Sequence, residues 1–529
     1  MGSGTQTVFV RPGAPVERPA LLLSLGLAAA ALVLYAATCS PFVLDWDVAE
    51  FQALAAGHGI AHAGYPSYLL LLEALHRLPF MTAPWRANFA SAIAASVAVG
   101  FFAAIAIRCT GSRIAAAAAT CAFAASYSLW HHGTRADVYA FTLALSGAAF
   151  HSFLRYLDTR SVDPLALSGL FIGLSLTAHL SSLALAVVVA AMLLADVVRG
   201  HAPVHHMVIA VAAVVVGLLP LLLILWRDTP GNPLNYIAFT FDEHSGRYIP
   251  WSHAFGTRLR RAMLLLSAAQ YLEGGRFHPF QDSLARVRLV AWNLALNDLP
   301  GIGLLTSIAG GVVALIKRSR FDVLLLAWLA CLTFLFLFAA YPVTATSFFL
   351  PGTWILFLLL ARVLALVRWR MWPVALVLGL AAAAAPWIRV RFAAPPAPIA
   401  RTSGATAWEA WPKDWNPFAP DRSWDAFGRG ALAALPRRAH VLSCWEGGTT
   451  LLALQQAMRL RPDVAIHLSC DSPARIRSVI ESARRGAQGV YTTIPPRRLP
   501  APREWTPVAS WPRGSLWRHE DRARGDPRR

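Results

Sequence analysis

The chain has 529 residues, of which 56% are hydrophobic and only 14% are charged. A water-soluble core could hardly hold so large an apolar fraction, so the composition excludes an ordinary soluble enzyme and indicates a polytopic α-helical membrane protein. The formal net charge of +19 does not indicate nucleic-acid binding. The arginines are concentrated in short loops and after residue 390, and no nucleic-acid-binding motif accompanies them.

Apolar runs of membrane-spanning length recur along the chain as far as residue 388. They predict about eleven spans, at 20–38, 87–107, 114–130, 138–157, 164–178, 180–198, 207–226, 302–316, 321–340, 352–367 and 372–388. The first run is long and lacks a small-residue cleavage site, so we expect it to remain as an anchor. A shorter run, 67–78, carries polar residues toward one end and predicts an interfacial helix.

The basic residues predict the orientation, because those in short loops favour the cytoplasm. With a cytoplasmic N-terminal tail (1–19), one side receives Arg11, Arg18, Arg108, Arg113, Arg155, Arg160, Arg199, Lys317, Arg318, Arg320, Arg362, Arg368 and Arg370. The loops 39–86 and 227–300 and everything after residue 390 are then extracytoplasmic. The Ala/Arg-rich composition favours a bacterial plasma membrane.

The chain becomes polar after the predicted transmembrane domain, 20–389. Strand-like and helix-like segments then alternate, with strands at 440–444, 463–468 and 489–494 and helices at 449–460 and 473–485. This alternation predicts a small α/β domain with parallel strands, at 390–515, and a disordered tail at 516–529. Cys444 and Cys470 each close a strand-like run, and either a disulfide or two free thiols fits their positions.

Asp47 and Glu50 are the candidates for a reacting centre. They follow the first predicted span directly, where a charge beside hydrocarbon is costly unless it faces water or a partner. On a helix, their i, i+3 spacing places both carboxylates on one face. The alternative is that the two acids only cap the loop helix.

Short polar motifs recur in order along much of the chain. They are Asp47-x-x-Glu50-Phe51, Gly59 to Pro66, Arg86-x-Asn88-x-x-Ser91, Trp130 with Asp137-Val138-Tyr139-Ala140, Gly173 to His179, Gly217 to Pro220, Pro230 to Asn235, Ser245 to Tyr248, Phe348 to Pro351 and Arg461 to Val464. This set resembles a polytopic family related to protein O-mannosyltransferases, in the GT-C superfamily of membrane glycosyltransferases. Three departures stand out: the histidine motif is one residue shorter than His-Pro-Pro-Gly-Tyr-Pro, Asp137 replaces a commoner glutamate, and Ala345 stands at an acidic position.

The resemblance implies an enzyme that moves a sugar from a polyprenyl-phosphate donor to a hydroxyl of a protein, glycan or lipid, with inversion. It implies that Asp47 is the general base, and Glu50 would orient the acceptor or Asp47. The candidates for the donor and its phosphate are His62, Arg135, Asp137, His179 and Arg227, and arginine suits phosphate best. The candidates for shaping the loops or binding the acceptor are Tyr65, Tyr139, Arg247 and Tyr341.

Each of these residues has a structural alternative. His62 could brace the turn before Pro66, His179 could be a hydrogen-bonded bundle histidine, and Asp137 could cap a helix. Arg135 and Arg227 could be interface anchors.

No cofactor is expected, with a divalent metal as the alternative. Asp45-Trp46-Asp47 reads as Asp-x-Asp, a metal-binding pattern of nucleotide-sugar enzymes, so Asp45 and Asp47 are the alternative ligands. Against this, an external site has no ready supply of nucleotide sugar.

Two rival functions remain open. A lipid-linked sugar transporter or flippase should show repeated halves and broken helices, and no repeat is apparent in the sequence. A catalytically inactive scaffold is the other, favoured by Ala345 and opposed by the presence of Asp47 and Glu50.

Overall fold

The computed structural model describes residues 18–241, 249–267, 287–288, 290–299, 302–338, 345–367, 418, 420–469, 473–486, 488–499 and 501–520. The first helices are α1 (Arg18–Thr38), α2 (Trp46–Gly57), α3 (Pro66–His76), α4 (Ala83–Thr110), α5 (Arg113–Ala124), α6 (Tyr127–Gly133), α7 (Val138–Thr159), α8 (Val162–Leu176) and α9 (Leu183–Val198). They are followed by α10 (Val204–Gly217), α11 (Leu222–Arg227), α12 (Tyr236–Thr240), α13 (Phe255–Leu266), α14 (Ile302–Lys317), α15 (Arg320–Phe338), α16 (Ala345–Phe348) and α17 (Leu350–Leu364). Single 3-10 turns, Leu180–Ser182 and Leu219–Leu221, precede α9 and α11, and a π-helix, Leu294–Asp298, precedes α14.

Local sequence explains where the long helix α4 begins and ends. The Thr82 hydroxyl accepts a hydrogen bond from the Trp85 backbone N–H at 3.3 Å, which caps the first turn. Gly111 ends the helix in the left-handed conformation at φ 67°, where a side chain would be strained. Ser112 then caps α5 by accepting from the Ala115 N–H at 3.2 Å. The two helices are therefore separated by a tight turn.

Helices lie at every predicted span before residue 368, and the predicted span 372–388 lies outside the described residues. Five described helical segments are individually long and apolar enough to cross a membrane: Arg18–Thr38, Ala83–Thr110, Leu180–Val198, Val204–Arg227 and Arg320–Leu337. A further pair, Val290–Asp298 and Gly303–Lys317, passes the same test together but is bent by 113°. The chain is thus a polytopic helical membrane protein, and the number of eleven spans stays a prediction.

Ion pairs lie at both ends of the helical bundle. At one end, Arg160 and Arg320 both pair with Asp196, at 2.6 and 3.5 Å. At the other end, Arg135 pairs with Asp45 at 2.8 Å. Arg160 and Arg320 therefore lie at the same end of the bundle, as the pattern of basic residues predicts. Which end faces the cytoplasm stays a prediction.

The described residues of the C-terminal sheet unit, 420–520, contain five strands, three α-helices and two single 3-10 turns, Pro496–Arg498 and Pro502–Glu504. In chain order the α-helices and strands are α18 (Ser423–Ala434), β1 (His440–Ser443), α19 (Trp445–Met458), β2 (Ala465–Leu468), α20 (Pro473–Arg485), β3 (Val490–Thr492), β4 (Trp505–Trp511) and β5 (Gly514–His519). The sheet order is β2-β1-β3-β5-β4, and β1 pairs in parallel with both β2 and β3. The predicted strands and helices therefore lie close to their expected positions, and the boundaries of a separate domain at 390–515 stay a prediction.

The predicted disordered tail begins too early. Residues 516–519 belong to strand β5, which pairs antiparallel with β4 and β3. The Arg/Pro-rich composition pointed to disorder, but Leu516 is fully buried in the sheet unit and anchors this strand. Cys470 lies outside the described residues, so the question of its pairing with Cys444 stays open.

The C-terminal sheet unit is packed directly on the loop helix α2. One apolar core includes Val48 and Leu54 of α2 together with Leu451 and Leu454 of α19. Two hydrogen bonds accompany it: the Val43 N–H donates to the Asp425 carboxylate at 3.3 Å, and the Thr450 hydroxyl donates to the Leu44 carbonyl at 3.1 Å. The unit and the first loop therefore share a core instead of touching only at their surfaces.

Candidate active site

The loop between α2 and α3 owes its shape to unusual backbone conformations. Gly64, at φ 93°, and Tyr65, at φ 49°, both lie in the left-handed region, and together they reverse the chain before α3. Gly59 allows the backbone at Leu234 to approach closely, because a Cβ at position 59 would lie 2.3 Å from the Leu234 carbonyl oxygen. The Ile60 N–H donates to that same carbonyl at 2.9 Å. The turn is thereby fixed against the segment that begins α12.

Asp47, Glu50 and His62 form the acid–histidine cluster. Both Glu50 oxygens contact His62: Oε1 accepts the backbone N–H at 2.9 Å, and Oε2 lies 2.6 Å from Nδ1. On the other side of the ring, Nε2 lies 3.6 Å from the Asp47 Oδ2. The Glu50 side chain is 6% exposed and that of Asp47 is 44% exposed. One acid is therefore a buried partner of the histidine, and the other faces solvent, where a substrate can reach it.

Electrostatics keeps a proton on His62. Burial favours the neutral imidazole, but the charges of Asp47 and Glu50 outweigh burial and raise the pKa of His62 to about 9. Burial also raises the pKa of Glu50, so these two groups share a proton in their short hydrogen bond. At neutral pH the cluster thus contains a fixed positive charge beside the exposed Asp47.

The predicted capping role does not account for these acids. The N-cap position of α2 is occupied by Asp45, and Asp47 lies in the first turn. The side chain of Glu50 is engaged by His62. Trp46, between the two aspartates, has φ 50°, a strained value for a large side chain of the kind found at functional sites.

Trp445 is a site residue that sequence reasoning missed. It begins α19 in the C-terminal sheet unit, and its indole Nε1–H donates to the Asp47 Oδ1 at 2.9 Å. Its ring also meets Tyr236 and Phe239, with centroids 5.3 and 5.9 Å apart. The sequence gives no signal for this contact, because 398 positions separate the two partners.

A small cleft opens beside Glu50, between α2, the start of α12 and the C-terminal sheet unit. Its volume is about 310 Å³, including space open to solvent. It is lined by Glu50, Ala53, Pro233, Leu234, Asn235, Tyr236, Phe239, Trp445, Thr449, Leu452 and Leu468. Apart from Glu50, the walls are mainly aromatic and aliphatic.

Tyr65, His179 and Tyr139 form an aromatic group next to the cluster. The Tyr65 hydroxyl lies 3.3 Å from the His62 Nε2, and the Tyr65 ring stacks on His179 with the ring centroids 5.9 Å apart. Tyr139 also contacts His179, with the ring centroids 5.0 Å apart and the ring planes tilted by 57°. The Ser181 backbone N–H donates to the His179 Nδ1 at 3.1 Å, which assigns the ring proton to Nε2. His179 is therefore both a hydrogen-bonded bundle residue and a potential donor through Nε2.

Asp137 and Arg135 lie on the loop between α6 and α7. Asp137 occupies the N-cap position of α7, but its carboxylate meets the His132 Nδ1 at 2.9 Å, and no capping hydrogen bond from this side chain is found among the described residues. Arg135 binds Asp45 at 2.8 Å and lies 3.3 Å from the His131 Nε2. Both candidates therefore have structural partners close to the cluster.

Arg227 makes contacts of a different kind. It forms a two-pronged ion pair with Glu73 of α3, with Nη1–Oε1 at 2.6 Å and Nη2–Oε2 at 2.9 Å, and its side chain is only 11% exposed. This pairing points to a structural role. Of the other candidates, Arg247 and Tyr341 lie outside the described residues, and so does part of the predicted 227–300 loop.

The acid–histidine cluster also has ligand types that suit a divalent metal. One ligand atom from each of Asp47, Glu50 and His62 lies within 4.8 Å of the others, and carboxylate with imidazole suits several divalent cations. Asp45, the predicted alternative ligand, is outside this cluster and pairs with Arg135. A metal at the cluster would have to replace the proton shared by Glu50 and His62.

Comparisons with known proteins agree with this architecture. Residues 47–200 match the model of the family described as Protein O-mannosyl-transferase TMEM260 N-terminal domain. No curated protein sequence matches the chain. The Archaeoglobus fulgidus oligosaccharyltransferase, solved in complex with Zn and sulfate, is similar in structure with a TM-score of 0.51 at 13% identity. This match covers 95% of the present chain and 74% of the other.

Another similar structure is ArnT from Cupriavidus metallidurans, bound to undecaprenyl phosphate. It has a TM-score of 0.39 at 11% identity and covers 93% of this chain and 97% of that one. Its apo form gives a TM-score of 0.40. At such low sequence identity these structures indicate only a similar fold. The evidence for that fold is the match to the oligosaccharyltransferase. Residues 47–200 are therefore similar to the N-terminal domain of this O-mannosyltransferase family, and the chain shares the fold of the oligosaccharyltransferase.

Proposed function

We propose that the chain is a glycosyltransferase that moves a sugar from a polyprenyl-phosphate donor to a hydroxyl acceptor on the extracytoplasmic face. The observation that carries the proposal is the acid–histidine cluster. It combines an exposed carboxylate, Asp47, with a buried ion pair in the segment that matches the O-mannosyltransferase-type family. A charged pair of this kind costs free energy to bury, and a functional site accounts for that cost.

In the proposed reaction, Asp47 accepts the proton of the acceptor hydroxyl. The hydroxyl oxygen forms a bond to the anomeric carbon as the bond from that carbon to the phosphate oxygen breaks. The polyprenyl phosphate leaves with the electron pair, and the sugar is inverted. A positioned base of this type contributes about a hundredfold to ten-thousandfold in rate.

The developing charge on the phosphate requires nearby donors. His62 is the best placed, because its raised pKa keeps the ring protonated at neutral pH, in a short hydrogen bond with Glu50. His179 can donate through Nε2, and Arg135 can turn from Asp45 to a phosphate oxygen. We assign Arg227 a structural role in the loop, because both of its Nη atoms already pair with the Glu73 carboxylate.

Glu50 holds His62 and sets its charge. The cleft beside Glu50 is the proposed approach of the acceptor, a hydroxyl of a protein, a glycan or a lipid. If a divalent cation binds, Asp47, Glu50 and His62 would hold it, and it would supply Lewis-acid stabilisation of the phosphate. The proposal needs no metal, since the His62 imidazolium provides the positive charge.

A transporter for a lipid-linked sugar is the second candidate, because one described helix pair is bent by 113°. Broken helices with buried polar groups are a mark of transporters. Here the buried Asp298 accepts hydrogen bonds from the Ser128 N–H and hydroxyl, at 2.8 and 2.7 Å. Asp298 therefore has a structural partner at the start of α6, and the proposal of glycosyl transfer has the better support.

Mass spectrometry of glycans, glycolipids and glycoproteins tests the proposal. Cells with the wild-type protein, with Asp47→Asn and without the protein should be compared. We expect a glycosylated product in the first cells alone. A product that persists with Asp47→Asn and disappears with Asp298→Asn would instead support transport.

A further inference from the structure

Asp47 is held by a residue from a distant part of the chain. The indole Nε1–H of Trp445 donates to the Asp47 Oδ1 at 2.9 Å, whereas the other oxygen, Oδ2, faces His62 at 3.6 Å. A short carboxylate side chain that is 44% exposed can rotate freely unless a partner fixes it. Trp445 is such a partner, and it selects which oxygen remains available.

The indole itself is held in place from several sides. Its ring meets Tyr236 edge-on at 5.3 Å, Phe239 at 5.9 Å and His62 at 6.2 Å. Its position at the first residue of α19 is fixed by the core that α19 shares with α2. The indole N–H therefore reaches Asp47 from a side chain that is itself held rigidly, which is the condition for precise positioning.

We propose that Trp445 is a positioning residue for transfer, and that it links the docking of the C-terminal sheet unit to the orientation of the base. The proposal rests on the proposed role of Asp47 in proton transfer. Trp445 does not exchange a proton itself. It holds Oδ1, so that Oδ2, on the side of His62, stays available to the acceptor hydroxyl.

Two substitutions separate the hydrogen bond from the packing of the ring. Trp445→Phe keeps a large aromatic ring and removes the N–H. Trp445→His removes the outer ring, but its Nε2–H takes nearly the position of the indole N–H, because the two five-membered rings superpose. A role in hydrogen bonding predicts that histidine retains more activity than phenylalanine, and a role in packing alone predicts the reverse.

The assay is transfer of labelled sugar from a polyprenyl-phosphate donor by the full-length protein in purified membranes. We expect Trp445→Phe to lower kcat about tenfold to a hundredfold, the scale of one hydrogen bond to a charged group. KM for the donor should stay unchanged, and Trp445→His should recover a large part of kcat. Protease resistance gives the folded amount of each variant, so that rates are taken per folded molecule.

Trp505→Phe is the matched control, because it makes the same substitution at a buried tryptophan of the C-terminal sheet unit that does not line the cleft. It should keep kcat near the wild-type value. Equal or greater activity of Trp445→Phe than Trp445→His would overturn the proposal, and so would a loss in Trp505→Phe as large as that in Trp445→Phe. Near-normal Asp47→Asn would overturn the proposed function, whereas an inactive Asp47→Asn with a normal Trp445→Phe would overturn this inference alone.

Discussion

Substitution of Glu50 by glutamine should shift the pH range in which the protein is active. His62 has a pKa of about 9 instead of its ordinary 6.5, which corresponds to about 3 kcal/mol in favour of the charged form. The contribution of this charged form to folding stability is complete below pH 6.5 and is lost as pH rises through about 9. Glu50→Gln removes one of the three carboxylates responsible, Asp47, Glu50 and Asp137, so we expect the pKa of His62 to fall by about one to two pH units.

The measurement is the rate of sugar transfer as a function of pH, in wild-type and variant membranes. Wild-type activity should decline near pH 9, where His62 loses its charge, and the decline should occur at lower pH in Glu50→Gln. Glu504→Gln is the matched control, because Glu504 pairs with His519 at 3.0 Å in the C-terminal sheet unit. An alkaline decline that is unchanged in Glu50→Gln would refute the electrostatic assignment of the cluster.

Four other substitutions test the remaining assignments. Arg135→Ala should raise KM for the donor about tenfold with little change in unfolding temperature, and the opposite pattern would make Arg135 structural. Arg227→Ala leaves Glu73 buried without its arginine and with only the exposed His58 at 3.2 Å to pair with among the described residues, so calorimetry or a thermal-shift assay should show a loss of about 3 to 5 kcal/mol in stability; an unchanged unfolding temperature would contradict this. Asp45→Asn and a chelator should both leave most transfer intact, whereas equal large losses would indicate a metal site. Leu451→Ala should cost about 2 to 5 kcal/mol and expose the C-terminal sheet unit to protease, because α2 and α19 share that core; unchanged protease resistance would argue against the shared core.

The helical part of the fold follows from the sequence because its signals are local. Apolar runs of sufficient length predict helices wherever they occur, and Gly111 and Ser112 separate two of them as expected from their capping chemistry. The hairpin of β4 and β5 was not foreseen, because its strands lie between Pro- and Arg-rich segments that are typical of loops. Its strands are fixed by pairing with β3, which is not a local property.

The candidate site was predictable only in part. Asp47 and Glu50 were indicated by both their spacing and the resemblance, whereas His62, a candidate for the donor phosphate, lies in a motif that carries the resemblance. Trp445 could not be found in this way, since its contact with Asp47 depends on how the C-terminal sheet unit packs against α2. The two arginines looked equivalent in the sequence, and only the structure distinguishes Arg227, paired with Glu73, from Arg135, paired with Asp45 at the start of α2.

The central claim is that Asp47 is the base for sugar transfer. Its most direct test is single-turnover transfer of labelled sugar from a polyprenyl-phosphate donor by purified, folded Asp47→Asn protein, with donor binding measured on the same sample. Asparagine keeps the shape of the side chain and removes its ability to accept the proton. The account predicts near-normal donor binding with a transfer rate reduced about a hundredfold or more. Transfer at close to the wild-type rate would contradict it.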